Sequence, residues 1–198
     1  MTTSTTRRRA LAAATLLALA GPALAQDAWP TKPVRMIVPF APGGSTDVVA
    51  RMVGQRLSAL WGQPVVIENR AGAGGNVGAD VVAKAPGDGY TLLMASGSVT
   101  INPSLYKRMP FDTKKDLLPI TNVAQGPMLV VVQDGSPHKS LKDLIAAAKA
   151  KPGSINFASA GVGSQVHLAG ENFADAAGID IQHVPYKGEA LGYNDLIA

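Results

Sequence analysis

The most informative stretch of this sequence is PFAPGGSTD, residues 39–47. It follows a short apolar run, residues 34–38, and it precedes apolar residues at helical spacing from Val48 onward, so the pattern predicts a strand, a turn and a helix. Gly43 and Gly44 lack a Cβ, which lets the backbone turn sharply and lets a ligand approach it closely. Because the first N–H groups of a helix are unpaired and favour negative charge, this turn is predicted to hold one end of a small anion.

The polar residues that end this stretch leave its role open. Ser45, Thr46 and Asp47 are all good helix N-caps, so the turn could be no more than a capped helix start. Asp47 carries the same charge as an anionic ligand. It either caps the helix or accepts a hydrogen bond from a ligand hydroxyl, amine or bridging water.

The order of strand, glycine-rich turn and helix recurs along the chain. The pattern predicts strands at residues 34–40, 64–68, 90–95, 128–133, 155–158 and 179–184, and helices at residues 46–60, 77–84, 141–150, 164–177 and from 191 onward. Short apolar strands between helices are typical of a parallel sheet covered on both faces, with ligands at the carboxyl ends of the strands. We therefore expect an α/β fold with two lobes, residues 26–122 and 123–198, facing across a cleft.

The second predicted lobe contains a turn similar to that of residues 43–47. The turn Gly161-Val162-Gly163-Ser164 also follows a strand and opens a helix. Ser96-Gly97-Ser98, with Thr100 and Asn102, adds hydroxyls and an amide at the end of the third strand, although a plain polar loop explains these residues as well. Two helix N-termini on separate lobes are expected to clamp one ligand from both sides.

Motifs for cofactor or metal chemistry are missing from the sequence. Residues 72–78 depart from the dinucleotide fingerprint because Val77 stands where the third glycine belongs, so a structural glycine turn is the better interpretation. There is no P-loop and no nucleophile elbow. His138, His167 and His183 lack metal-ligand spacing; His167 is expected on a helix surface, and His183 in the core or at a sheet edge. The sequence predicts no cofactor, no metal and no catalytic residue.

The first 25 residues are typical of an export signal. Arginines 7–9, the apolar run 10–20 and the A-x-A motif at 23–25 predict cleavage after Ala25, by either the Sec or the twin-arginine route. Without these three arginines the formal charge falls from +4 (18 basic and 14 acidic side chains) to +1, so we expect no binding to nucleic acid or to a membrane surface. There is no cysteine, and a core must therefore stabilise the exported chain.

Several motifs together resemble the tripartite tricarboxylate transporter receptor family, the Bug-type periplasmic solute-binding proteins. In chain order they are KPVR (32–35), PFAPGGSTD (39–47), ENRAGAGGN (68–76), DGYTLL (88–93), INPSLY (101–106), NFAS (156–159) and HVPYKG (183–188). The resemblance implies a fold like that of type II periplasmic binding proteins, with two lobes, a hinge and a cleft. Family members are longer, so a C-terminal part is expected beyond the unfinished helix at residues 191–198, and the stretches 161–164 and 189–194 depart from the common family spelling.

Carried over to this chain, the resemblance implies a ligand site and a function. The implied ligand-binding residues are Phe40, Gly43, Gly44, Ser45, Thr46, Asp47, Ser96, Gly97, Ser98, Asn102, Ser159, Gly161, Gly163, Ser164 and Tyr186. The implied function is that of a monomeric periplasmic receptor that delivers a small carboxylate or amide to the membrane permease subunits of a tripartite tricarboxylate-type transporter. The alternatives are an exported enzyme with Ser96, Ser98 or Ser159 as nucleophile, which needs a nearby base, and a sensor for a signalling partner.

Overall fold

The first sheet is built around residues 34–38. In the computed structural model, which describes residues 29–198, β1 (Val34–Val38) lies between β2 (Val65–Asn69) and β3 (Thr91–Leu93), and all three strands are parallel. Val34, Ile37 and Val38 have no exposed surface, as expected for a strand covered on both faces. The three predicted strands of the first half are confirmed. The predicted signal peptide lies outside the described residues.

The second sheet pairs β4 (Asn156–Ser159) with β5 (Gln182–Pro185), again in parallel. The helices of the structure are α1 (Ser45–Trp61), α2 (Asn76–Ala83), α3 (Ser98–Leu105), α4 (Thr113–Asp116), α5 (Leu141–Ala150), α6 (Gln165–Ala177) and α7 (Glu189–Ile197), and a 3-10 turn spans Ala73–Gly75. The α/β class with parallel sheets is therefore as predicted. Residues 32–198 form one compact unit, and the lobe boundaries stay a prediction.

Helix α1 covers one face of the first sheet. Val49, Val53 and Leu57 pack against a core that includes Met36 and Val38. The helix ends where predicted, because Gly62 takes the left-handed conformation and its N–H donates to the carbonyl of Ser58. No helix within residues 29–198 is long and apolar enough to cross a membrane.

The strand predicted at residues 128–133 is wrong. The segment forms neither helix nor strand, and its apolar side chains from Met128 to Val132 are 43–77% exposed. A strand requires a neighbouring strand that accepts and donates its backbone hydrogen bonds. Within residues 29–198 the two sheets comprise only β1 to β5, so no strand pairs with this segment, and β-propensity alone does not make one.

Helix α3 occupies the stretch that the sequence suggested was a polar loop. Pro103 lies inside it and has no N–H to donate to the carbonyl of Val99, four residues earlier. The hydroxyl of Thr113 donates to that carbonyl at 3.3 Å and replaces the missing bond. The hydrogen bond from Thr113 therefore makes Pro103 tolerable inside α3, although local sequence rules place proline outside a helix.

An ion pair joins β1 to β2. Arg35 donates from Nε and Nη2 to the two carboxylate oxygens of Glu68 at 2.6 and 3.0 Å, and Arg70 adds a bond of 3.2 Å. The hydrogen bond from Arg35 is the main cause that lowers the pKa of Glu68 to about 2. Because this folded-state pKa lies below the ordinary value, the pair stabilises the fold above about pH 4.5, and its contribution is lost as the pH falls toward 2.

We expect Glu68→Gln to lower the free energy of unfolding at pH 7 by about 1 kcal/mol, since the pair is partly exposed and water screens it. The difference between wild type and variant should shrink between pH 4.5 and pH 3. Urea unfolding at these three pH values measures it. Asp175→Asn, at an exposed position of α6, is the control for loss of one charge. A difference that is constant with pH would contradict the assignment.

Candidate functional site

The side chain of Asp47 makes hydrogen bonds at the turn where the sequence predicts a bound anion, residues 43–47. Its carboxylate is 3% exposed and accepts hydrogen bonds from the N–H of Gly43 at 2.9 Å, from Asn69 Nδ2 at 2.8 Å, and from Arg51 at 2.9 and 3.1 Å. Burial alone raises the pKa of Asp47, but the bonds from Arg51, Gly43 and Asn69 outweigh it and lower the pKa. Gly44, and not Ser45, Thr46 or Asp47, is the N-cap of α1. The carboxylate of Asp47 instead holds the turn, and its hydrogen bond to a ligand stays a prediction.

Asn69 holds the same turn and was missed from the sequence. Its side-chain amide also donates to the carbonyl of Phe40 at 3.0 Å. In the register of the sheet Asn69 pairs with Val38, the last residue of β1. A polar residue at the carboxyl end of the neighbouring strand is therefore the signal that could have identified it.

A carboxylate of the chain itself lies on the N-terminus of α1. The N–H of Ser45 donates to Glu189 Oε2 at 3.0 Å, and the hydroxyl of Ser45 bonds Glu189 Oε1 at 3.1 Å. A small recess here is lined by Phe40, Gly44, Ser45, Thr46, Asp47 and Glu189. The turn thus binds the chemical group that the sequence predicts for it, but the group comes from the start of α7.

The backbone around Glu189 is docked on the same turn. The carbonyl of Lys187 accepts a hydrogen bond from the N–H of Ala41 at 2.9 Å. Gly188 is buried, and a Cβ placed on it would lie 2.9 Å from the nitrogen and the Cβ of Ala41. Only a glycine lets these two segments approach so closely without a shift.

The turn at residues 161–164 has a different partner. Tyr106 donates from its hydroxyl to the carbonyl of Val162 at 2.8 Å, and a Cβ on Gly74 would overlap that same carbonyl oxygen. The predicted counterpart of residues 43–47 therefore packs on the glycine turn at 72–75 and on the end of α3. The glycine turn has a structural role, as the sequence indicated, because the loops of the two sheets make their close contact there.

A recess of about 260 Å³ lies beside this contact. Its lining residues come from the two glycine turns and from the end of β5: Gly72, Ala73, Gly74, Tyr106, Ala160, Gly161, Val162, Pro185, Tyr186 and Lys187. Gly161 and Tyr186, both predicted to bind ligand, are brought together here, and the Tyr186 hydroxyl donates to Asp195 at 2.7 Å. Seven of the predicted ligand residues line one of the two recesses: Phe40, Gly44, Ser45, Thr46 and Asp47 the one at Ser45, and Gly161 and Tyr186 this one. The other eight line neither.

The polar residues after β3 form two separate groups of hydrogen bonds. Ser96 and Ser98 join their hydroxyls at 2.7 Å, and Asn102 Nδ2 donates to Asn76 Oδ1 at 2.9 Å and to the carbonyl of Gly74 at 3.2 Å. Asn102 has no exposed surface, and its Oδ1 has no hydrogen-bond partner. These residues hold the glycine turn in place, while Gly97 lies against the side chain of Gln165.

Ser159 contacts a histidine pair behind the second turn. Its hydroxyl accepts from the N–H of Gly161 at 3.0 Å and lies 2.6 Å from His183 Nε2. The rings of His183 and His167 are tilted by 33° with centroids 4.0 Å apart, and burial, followed by repulsion from His167, lowers the pKa of His183. The tautomer of His183 decides whether Nε2 accepts the hydrogen bond from the Ser159 hydroxyl or donates it.

His167 corrects one expectation. Its side chain is 16% exposed, and its Nδ1 accepts from the N–H of Gly163 at 3.3 Å, so it supports the turn instead of lying on the helix surface. Ser164 caps α6, the helix that the turn at 161–164 is predicted to open, by accepting from the N–H of His167 at 3.2 Å. Within residues 29–198 no group of three or more His, Cys, Asp or Glu side chains could hold a metal ion.

Comparison with known proteins decides the family. The model of the tripartite tricarboxylate transporter family receptor matches residues 49–198. The chain belongs to this family. It is 44% identical over 173 residues to the protein BugT of Bordetella pertussis, covering 86% of this chain and 53% of BugT. It is 40% identical over 194 residues to a UPF0065 protein encoded between tcbD and tcbE in Pseudomonas sp. strain P51, covering 97% and 58%.

Solved structures of similar sequence share the fold. A structure described as a periplasmic transporter aligns with a TM-score of 0.81 at 45% identity, over 85% of this chain and 57% of that one. An R. palustris protein with adipate aligns with a TM-score of 0.81 at 40% identity, over 85% and 56%. MatC from Rhodopseudomonas palustris, with bound malate, gives 0.76 at 29% identity, over 85% and 57%. The chain therefore has the fold of periplasmic binding proteins and spans a little over half their length.

Proposed function

We propose that this receptor-family chain captures a small carboxylate outside the cytoplasm, after removal of residues 1–25, and delivers it to the permease subunits of a tripartite tricarboxylate-type transporter. The observation that carries the proposal is the carboxylate of Glu189 on the N–H and hydroxyl of Ser45. The spacing of these two donors suits the two oxygens of a carboxylate, which supports the proposal. Structures of two relatives hold adipate and malate, which are small dicarboxylates of the same chemistry.

The recess at 72–74 and 160–162 supports the other end of such a ligand. Tyr106 and Lys187 are among its lining residues. A ligand held by residues from both sheets stabilises the arrangement in which their loops touch, because it gains contacts only there. Binding of the ligand and contact between the loops of the two sheets then occur together.

A thermal-shift screen of di- and tricarboxylates, aromatic acids and amides on the full-length protein tests the proposal. A ligand at 100 times its Kd stabilises the native state by about 2.7 kcal/mol, which is easily measured as a rise in Tm. We expect adipate or malate to raise the Tm. Thr46→Ala, which removes a hydroxyl from the recess at Ser45, should weaken binding about threefold to tenfold in calorimetry, as a lost hydrogen bond does.

Thr121→Ala is the matched control, because Thr121 is exposed and lies far along the chain from the turn. It should bind the same ligand as tightly as wild type. If no acid or amide of the screen changes the Tm of wild type, the proposed function is wrong. If Thr46→Ala and Thr121→Ala bind equally well, the site assignment at α1 is wrong.

One observation favours an enzyme as the second candidate. The 2.6 Å contact between Ser159 and His183 is the nucleophile and base pair that a serine hydrolase needs. The 3% exposure of Ser159 argues against it, since a substrate must reach the hydroxyl. Turnover of a bound ester or amide ligand, abolished by Ser159→Ala, would favour the enzyme over the receptor.

A further inference from the structure

Glu189 occupies the donors that the proposed ligand needs. Its two carboxylate oxygens lie 3.0 Å from the backbone nitrogen and 3.1 Å from the hydroxyl oxygen of Ser45. Oε2 also lies 3.5 Å from the place of a Cβ on Gly44, so the carboxylate covers the glycine face of the turn. A second carboxylate cannot take the same N–H, and like charges at this distance repel.

We propose that Glu189 is an internal competitor for the carboxylate site at the start of α1, which a ligand carboxylate must displace before it binds there. This inference rests on the proposed function. Glu189 sets the concentration of carboxylate at which the receptor fills, because binding includes the release of the internal carboxylate. Its effect is a higher apparent Kd with no change in the contacts that the bound ligand makes.

The geometry allows this exchange without undocking α7. The backbone anchors of the segment are the Lys187 carbonyl on Ala41 and the close approach of Gly188, and neither involves the Glu189 side chain. The bonds to Ser45 lie at the exposed edge of the turn. Rotation of the Glu189 side chain into solvent therefore frees Ser45, while residues 187 and 188 stay in place.

The type of bond sets the size of the expected change in ligand affinity. A carboxylate at a helix N-terminus gains from charge-assisted hydrogen bonds and from the helix dipole, and at an exposed position these change an equilibrium by about fivefold to tenfold. Removal of the competitor should tighten ligand binding by the same factor. Glu189→Ala removes both acceptors, and Glu189→Gln keeps the shape but removes the charge.

The test combines calorimetry with hydrogen exchange in the full-length protein. Glu189→Ala should bind adipate or malate about fivefold to tenfold tighter than wild type, and Glu189→Gln should lie between them. In the absence of ligand, the Ser45 amide should exchange its hydrogen about tenfold faster in Glu189→Ala. Asp175→Asn, which removes a negative charge from an exposed position on α6, should leave both quantities within twofold of wild type.

The outcomes separate this inference from the proposed function. Equal or weaker ligand binding in both Glu189 variants, with wild type binding, overturns the competition and leaves the receptor proposal standing. Unchanged exchange of the Ser45 amide in Glu189→Ala overturns the contact itself, whatever the ligand does. If neither wild type nor any Glu189 variant binds a member of the acid and amide panel, the proposed function is overturned, and the competition with it.

Discussion

Gly74→Ala should destabilise the protein far more than Gly62→Ala, although the two glycines have nearly the same backbone. Gly74 has φ 60° and ψ 24°, and Gly62 has φ 64° and ψ 14°, so alanine meets a similar left-handed penalty of about 1 kcal/mol at either place. At Gly62 a Cβ meets nothing within 4 Å, whereas at Gly74 it would overlap the backbone carbonyl of Val162. A backbone atom cannot rotate away as a side chain does.

The added cost at Gly74 should be about 2 to 3 kcal/mol, in the range of overpacked sites. For a domain of this size it lowers the Tm by about 4–12 °C relative to Gly62→Ala. Thermal unfolding of the two variants measures the difference. Equal Tm values would contradict a contact between the glycine turn at 72–75 and the turn at 161–163 in solution. The pair of variants therefore reports whether the loops of the two sheets touch without ligand.

The first half of the fold could be predicted because its signals are local. The apolar run before Pro39, the glycine pair and the helical spacing after Val48 lie within about 30 consecutive residues, and they fix a strand, a turn and a helix. The end of this helix is equally local, since Gly62 follows it directly and ends α1. Short-range geometry allows few alternatives at such positions.

The partners of these turns could not be predicted, because they come from distant parts of the chain. Glu189 meets Ser45 across 144 residues, and Tyr106 meets Val162 across 56. No periodicity or spacing rule connects such residues. The expected clamp of residues 43–47 and 161–164 on one ligand stays a prediction, while in the structure Glu189 contacts the first turn and Tyr106 contacts the second.

The strand predicted at residues 128–133 is wrong although its local signal is strong, because it lacks a partner within residues 29–198. Its composition is that of a strand, but a strand is a property of two segments, and the described chain supplies only one. Helix α3 similarly depends on Thr113, whose hydroxyl takes the place of the missing proline N–H. Both cases show that a backbone hydrogen-bond partner, more than intrinsic propensity, decides the state of a short element.

Asp47→Ala should be the most damaging change in the turn, with a loss of about 3 kcal/mol in the free energy of unfolding. The substitution leaves the Gly43 N–H, the Asn69 amide and the Arg51 guanidinium without the acceptor that they share. An unpaired donor at a buried place costs about 1–3 kcal/mol, although water can reach Arg51, which is half exposed. Urea unfolding at pH 7 measures the loss.

Arg51→Ala provides the internal comparison, because it removes the exposed partner and keeps the buried carboxylate bonded to Gly43 and Asn69. Its effect should be smaller than that of Asp47→Ala, and the double variant should cost less than the sum of the two. Lys84→Ala is the control, since Lys84 pairs with Asp80 at the same i, i+4 spacing on a more exposed side chain, and such pairs contribute little. Full stability of Asp47→Ala, with ligand binding lost, would instead make Asp47 a direct ligand contact.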